Sequence, residues 1–346
     1  MTLPPLPKQP AGVPWPTGEW PNGDLSSAND WDSIDRAFDY AFGPDSAEEI
    51  GETHALLVIQ GGCLLAELYA PGFDIDVTCR SWSMAKSITH ALVGMAVLDG
   101  RIDIAAPAGV PEWTGPGDPR GAITLDQLLR MSSGVAFVEE YVPDAPSDVI
   151  EMLFGKGKED VAAFAANFPL AHRPGGFFAY SSGTTNIVSG CLSRALGAKG
   201  DAFKAFMFER LFGPLGMDTA DLRFDAAGTF IGSSFCYATP RDFARFGLLY
   251  LRDGVWDGRR LLPEGWVDYA RTPTFQQSGG EVDGPYGAHW WLDIAGPGSF
   301  SANGYEGQYI VLVPDKDLIL VRHGATPMAL KDNLKAWMKD LAAAFG

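Results

Sequence analysis

Ser83-Met84-Ala85-Lys86 places a hydroxyl and an amine three residues apart. On a helix that spacing puts both side chains on one face. A serine beside a neutral lysine is a nucleophile beside its base, which is what acyl transfer through a covalent intermediate requires. The segment that contains the pair, SMAKSITHALVGMAVLDG, is apolar almost all round, so it belongs in the middle of the protein. Lys86 is hard to explain there as a solvated surface charge. Burial and the positive end of a helix both push an amine below its free pKa of about 10.4, and the same field favours a developing alkoxide on Ser83. S-x-x-K alone recurs by chance in roughly half of chains of this length. Its place at the head of an apolar helix gives it weight.

Tyr180-Ser181-Ser182 lies between a turn, Pro174-Gly175-Gly176-Phe177-Phe178, and a helix expected from about Thr184. A tyrosine there can point its hydroxyl into a cleft. Beside a cationic lysine its phenol pKa falls from about 10, so it can carry a proton. Lys86 and Tyr180 are then expected to titrate as a coupled pair. Tyr141 sits in GVAFVEEYVPD, on a loop after a Ser132-Ser133-Gly134 turn. Loop aromatics can cover a cleft, and Glu139 and Glu140 beside it would attract a cationic amine. His90 falls one turn after Lys86 on the same face; a packed structural histidine is the expectation.

The elements that must hold these groups are readable in outline. Residues 1–22 are Pro-rich and read as an extended arm. The segment 31–43 spaces Trp31, Ile34, Phe38 and Phe42 as an amphipathic helix would. Segments 54–60 and 63–70 flank Gly61-Gly62 as a β-hairpin, and Gly100 stops the S-x-x-K helix. Thr124 and Gln127 form a capping-box pattern, with Ile123 and Leu128 as a hydrophobic staple. Further helices are expected over 160–168, 184–197, 201–213 and 240–254, the last opened by Thr239 and Pro240. Strands are expected over 286–294, 307–314 and 317–324, then a helix over 327–344. This order implies an α+β fold: one antiparallel sheet assembled from both ends of the chain, flanked by helices, with a helical region inserted. The expected division is an arm at 1–22, a sheet region from 23–80 and 275–346, and a helical region at 81–274.

Composition narrows the partners. The formal net charge is −17, which argues against nucleic acid or an anionic membrane. No stretch approaches the roughly 20 apolar residues that span a bilayer. The N-terminus lacks the apolar run of a signal peptide, so a cytoplasmic protein is expected. Cys63, Cys79, Cys191 and Cys236 are scattered, and are expected to be reduced and buried. Neither H-E-x-x-H nor paired Cys/His spacing occurs, which argues against a metal. No cofactor is expected, and the expected partner is a small ester or amide substrate. The sequence carries no signal of oligomeric state.

Four segments resemble one family: SWSMAKSITHALVGMAVLDG, ITLDQLLRMSSGVAF, PGGFFAYSSGTTNIVSG and NGYEGQYIVLVPDKDLILV. Over about residues 30–345 the chain resembles the serine β-lactamases, DD-peptidases and class VIII-type esterases. Within that group it is most similar to 6-aminohexanoate-oligomer hydrolases. The resemblance implies a β-lactamase/DD-peptidase-like fold, Ser83 as acylated nucleophile, Lys86 as general base and Tyr180 as second proton carrier. It also implies an oxyanion hole from the Ser83 and Tyr305 N–H groups, and a substrate contact for Tyr141. The family's third motif, K-T-G or H-x-G on a strand, falls on Ala302-Asn303-Gly304. Gly304 keeps the close approach to substrate, with Asn303 beside it. The cation is missing, which disfavours β-lactamase and D-amino-acid peptidase activity and leaves esterase or amidase activity untouched. An α/β-hydrolase would need a G-x-S-x-G elbow, which does not occur. A catalytically inactive binding protein of the same fold is the other alternative, and the presence of Ser83, Lys86 and Tyr180 argues against it.

Overall fold

The computed structural model describes residues 3–24, 26–141, 146–275 and 284–346. The first two residues of the arm and positions 142–145 after Tyr141 lie outside them. Asp30 opens helix α1 (Trp31–Ala41) by accepting the Ser33 N–H on its carboxylate. Strands β1 (Glu52–Gln60) and β2 (Cys63–Tyr69) then form the hairpin, turning on Gly61 and Gly62. Both glycines have positive φ, which a side chain would resist.

The chain next leaves the sheet for its helical region. A 3₁₀ turn, Trp82–Met84, leads into α2 (Ala85–Leu98), in which every residue from Ala85 to Ala96 is buried. Helix α3 (Leu125–Leu129) carries the capping box in full: Gln127 N donates to Thr124 Oγ1 and Thr124 N to Gln127 Oε1. Then come α4 (Asp148–Phe154), α5 (Val161–Ala166) and α6 (Ser182–Leu196). Ser181 caps α6 and left-handed Gly197 closes it. The helix expected over 201–213 divides into α7 (Asp201–Met207) and a π turn, Phe208–Phe212. Pro214 explains the widening, because it offers no N–H to the Arg210 carbonyl and its ring crowds that oxygen. Helix α8 (Pro240–Leu251) starts as expected, with Thr239 accepting from Asp242 N.

The sheet resumes with β3 (Trp291–Leu292), β4 (Phe300–Gly304), β5 (Gln308–Val313) and β6 (Leu318–Ala325), and α9 (Lys331–Ala343) follows. The strand expected over 286–294 shrinks to two residues. His289 and Asp293 have φ of 55° and 63°, which breaks the extended run on either side. Strand order is β2-β1-β6-β5-β4-β3, with antiparallel pairing throughout. The first and last long strands lie side by side in the middle, Glu52 opposite Ala325 and Gln60 opposite Leu318. The two ends of the chain thus build one sheet, as the sequence implied.

Alternation along the strands sorts the core into two layers. Leu56, Val58, Tyr309, Val311 and Leu320 face α1 and α9. Leu57, Ile59, Ile310, Leu312, Ile319 and Val321 face the helical region and share its core. Helix α8 rests directly on this inner face at Gly247, where a Cβ would meet Ile310 Cγ2 at 2.8 Å. The Pro-rich arm is gripped by arginines. Arg271 donates to the Pro4 carbonyl at 2.6 Å, Arg245 to Pro16 at 2.6 Å and to Gly18, and Arg252 to Pro7 at 3.4 Å. All four cysteines are free; Cys79, Cys191 and Cys236 are buried and Cys63 only partly so. Among the described residues, no helix is long and apolar enough to cross a membrane.

Candidate active site

The 3₁₀ turn before α2 presents Ser83 half-buried, and one helical turn later Lys86 is 2% exposed. Lys86 Nζ has three neighbours: Ser83 Oγ at 3.0 Å, Ser182 Oγ at 2.9 Å and the Ser233 carbonyl at 3.0 Å. Hydrogen-bond roles follow from what each partner can do. The Ser233 carbonyl only accepts. Ser182 gives its single hydroxyl proton to Glu139 Oε1 at 2.9 Å, so toward Lys86 it accepts. A neutral amine has two N–H bonds and one lone pair. Both N–H bonds are thereby used, and the lone pair is left facing the Ser83 hydroxyl. Burial pushes the Lys86 pKa down to about 8, against a smaller opposing pull from the Glu139 carboxylate. About a tenth of the amine is therefore neutral at pH 7 and half at about pH 8.

Glu139, expected from the sequence to attract a cationic amine, is linked in the structure to Lys86 through Ser182. It reaches the N-terminus of α6, accepting both the Ser182 N–H and the Ser182 hydroxyl, and it also accepts from the Tyr141 hydroxyl at 2.8 Å. A continuous chain of hydrogen bonds therefore runs from Ser83 through Lys86, Ser182 and Glu139 to Tyr141. The Tyr141 ring is 41% exposed and packs against Tyr305 at 5.1 Å. Its hydroxyl is turned inward, where loss of solvent and the Glu139 charge push its pKa up. Tyr180 lies with its ring face 4.8 Å from Lys86 Nζ. Trp291 and Tyr286 wall in the other sides of that ring.

His289 is a group that the sequence reading did not single out. Its Nδ1 donates to the Leu129 carbonyl at 2.7 Å, and its Nε2 accepts from Thr185 Oγ1 at 3.0 Å. Its own carbonyl accepts from Ser87 Oγ at 2.7 Å. It thereby ties α2, α3 and α6 together behind Ser83 and Lys86, and burial holds it neutral by pushing its pKa down to about 3. His90 instead bonds Tyr250 at 2.7 Å and stacks on Trp266.

Strand β4 supplies the opposite wall. Gly304 is required by contact: a Cβ there would lie 2.3 Å from the Ser81 carbonyl oxygen. Its absence lets β4 run against the turn that carries Ser83, so Tyr305 lines the same cavity as Ser83. Ala302 is buried on the inner face, opposite Ile310. Asn303 is opposite Tyr309, so its side chain belongs to the outer layer, away from the cavity. Arg322 lies in that same outer row, donating to the Gly307 and Glu52 carbonyls. It does not replace the missing cation.

The cavity, about 770 Å³, opens in front of Ser83. Helix α4 forms its far wall with Ile150, Leu153 and Phe154, and Tyr141, Trp82 and Tyr305 form the near one. Among the described residues, its charged groups are Glu140, Asp148 and Glu151 against Lys156. Helix α4 was not anticipated, although Val149, Met152 and Leu153 carry its buried face. Among the described residues, no cluster of His, Cys, Asp or Glu is arranged to hold a metal.

Known proteins resemble this chain in sequence and in fold. The beta-lactamase family profile matches residues 51–344. The chain belongs to the beta-lactamase family. It is a serine hydrolase of that fold, related to 6-aminohexanoate-dimer hydrolase. The enzyme of that name from Paenarthrobacter ureafaciens is 27% identical over 303 residues, covering 82% of this chain and 76% of its own. A Bacillus anthracis structure provisionally named 6-aminohexanoate-dimer hydrolase superposes with a TM-score of 0.76 at 21% identity, covering 99% of this chain and 90% of its own. A family VIII carboxylesterase gives a TM-score of 0.68 at 14% identity, covering 91% and 99%.

Proposed function

We propose that this beta-lactamase-family protein hydrolyses small esters or amides through an acyl-enzyme on Ser83, as a 6-aminohexanoate-oligomer-type amidase or esterase. The observation that carries the reading is buried Lys86 Nζ, 3.0 Å from Ser83 Oγ, with two acceptors as its other partners, so that the neutral amine would turn its lone pair to the Ser83 hydroxyl. Ser83 Oγ attacks the substrate carbonyl as its proton passes to Lys86. The oxyanion develops toward the Ser83 and Tyr305 N–H groups. Lys86, with Tyr180 as second carrier, delivers a proton to the departing alcohol or amine. Water then attacks the acyl-enzyme by the same route in reverse, releasing the acid and restoring Ser83. A fluorophosphonate probe tests the assignment directly: peptide mapping should locate the label on Ser83. An unlabelled Ser83 in active protein would overturn it.

The substrate class follows from what the inner face of β4 lacks. Ala302 offers no cation, so a carboxylate such as that of penicillins or D-Ala-D-Ala peptides has no partner there. Turnover of both is expected to be poor beside neutral p-nitrophenyl esters. Penicillin hydrolysis with kcat/KM of about 10⁴ M⁻¹s⁻¹ or above would refute this. The acidic side of the cavity supports a substrate with a cationic amine end, and the 27% identical relative carries an aminohexanoate dimer in its name.

Amides make an extra demand, because a departing amine must be protonated. Tyr141 supports that role: its hydroxyl is bonded to Glu139, at the end of the chain of hydrogen bonds from Lys86. Tyr141→Phe is expected to depress amide hydrolysis about 100-fold, within the usual range for losing a proton donor, and the matched ester only a few-fold. Equal losses on an ester and an amide of the same acyl group would reduce Tyr141 to a wall of the pocket.

A further inference from the structure

Two residues with left-handed backbones flank the oxyanion hole. Trp82, immediately before Ser83, has φ of 45°, and Glu306, immediately after Tyr305, has φ of 62°. Neither is a glycine, so the surroundings must hold each in place. They hold each other: Trp82 Nε1 donates to Glu306 Oε2 at 3.2 Å. The Trp82 ring also meets Tyr305 edge-on at 5.7 Å, and the Arg80 guanidinium lies over it at 4.5 Å.

Several hydrogen bonds fix the backbone of the Tyr305 turn from the far side. Gln308 Nε2 donates to the Tyr305 and Glu306 carbonyls at 3.2 Å each, and Arg322 to the Gly307 carbonyl at 2.9 Å. Those bonds anchor the turn to the sheet. They do not set its distance from Ser83. Among the described residues, three contacts join the turn to the Ser83 segment: Gly304 against the Ser81 carbonyl, which sets a closest approach, and the Trp82–Tyr305 ring contact and the Trp82–Glu306 bond, which resist retreat.

We infer that Trp82 and Glu306 are positioning residues, a side-chain clasp that sets the spacing of the Ser83 and Tyr305 N–H groups for the oxyanion. The inference rests on the assignment of Ser83 as nucleophile and of those two N–H groups as its oxyanion donors. A clasp of this kind acts on the tetrahedral state and hardly on the bound substrate, whose planar carbonyl asks less of the donors.

The test uses the full chain, with Glu306→Gln, Glu306→Leu, Trp82→Phe and the Trp82→Phe/Glu306→Leu double variant, each checked for folding by circular dichroism. For p-nitrophenyl acetate, Glu306→Leu and Trp82→Phe should each lower kcat about tenfold with KM within about twofold, since small misplacement of reacting groups is costly. Glu306→Gln keeps an acceptor oxygen and should recover most of the loss. The double variant should be no worse than either single one, because a broken clasp cannot be broken twice. Phenylboronic acid, which takes Ser83 Oγ onto boron as a tetrahedral anion, should bind about tenfold more weakly to the broken clasp. Product acetate should inhibit as before. Losses that multiply to about 100-fold in the double variant, or boronate affinity unchanged while kcat falls, would overturn the clasp. Variants that label with fluorophosphonate and turn over at the wild-type rate would do the same. Wild-type protein that hydrolyses esters without labelling at Ser83 would remove the underlying assignment instead.

Discussion

Ser83→Ala is expected to lower hydrolysis of short-chain p-nitrophenyl esters by about 10⁴-fold or more, as loss of a covalent nucleophile does elsewhere. Thermal unfolding should barely change. Ser83 is half-buried at the mouth of a cavity, and its hydroxyl meets Lys86 Nζ and contributes little to the core. The variant should also lose fluorophosphonate labelling in step with activity. The measurement is steady-state turnover beside a melting curve. Retention of more than about a tenth of the rate would exclude Ser83, since oxyanion stabilisation and binding alone leave only a small residue.

Lys86 should show the opposite balance between activity and stability. With its pKa pushed to about 8 by burial, kcat/KM should rise about tenfold per pH unit below 8 and level off above it. The Glu139 charge holds the Lys86 pKa up, so Glu139→Gln should move the acid limb to lower pH. Lys86→Arg should be nearly inactive, because a guanidinium stays charged at any working pH. The sign for folding is also fixed. An unfolded lysine keeps its proton to about 10.5, and the folded one only to about 8. Between those values the unfolded chain binds more protons, so stability rises with pH. The whole effect is on the order of 3 kcal/mol. Lys86→Met should therefore abolish turnover while raising stability at pH 7, and chemical denaturation at pH 7 and pH 10 should show the slope vanish. A Lys86→Met protein less stable than wild type at pH 7 would mean that the lysine is a structural pin.

What could be read in the sequence was whatever repeats with a period or closes locally. The apolar run around Lys86 has no polar face, which marks a central helix however the rest folds. The side chains of Thr124 and Gln127 each accept the other's backbone N–H, so their pattern needs no distant partner. The Glu139–Ser182 contact was invisible for the converse reason. Neither residue lies on a periodic stretch, and their meeting depends on how a loop closes over a helix end. Left-handed Trp82, His289, Asp293 and Glu306 were equally silent, since a non-glycine in that region leaves no compositional mark. Asn303 shows a parity argument that was available. With Ala302 turned to the inner layer, strict alternation sends its neighbour outward.

The N-terminal arm acts as a solvent. A Pro-rich extended segment makes few internal backbone hydrogen bonds, here Val13 N–H to the Pro10 carbonyl, so most of its carbonyls are free to accept. Arg252 and Arg271, 3% and 4% exposed, and Arg245 at 8%, have lost most of their water. Beside the carboxylates of Asp242, Asp317 and Asp268, the carbonyls of Pro4, Pro7, Pro16 and Gly18 stand in for part of it. These are fixed oxygens, already oriented, in place of water that would have to be ordered. The arm is in this sense a covalently attached hydration shell for three cations on one flank of the protein. A chain begun after residue 20 would have to hydrate them with real water in a groove shaped for proline.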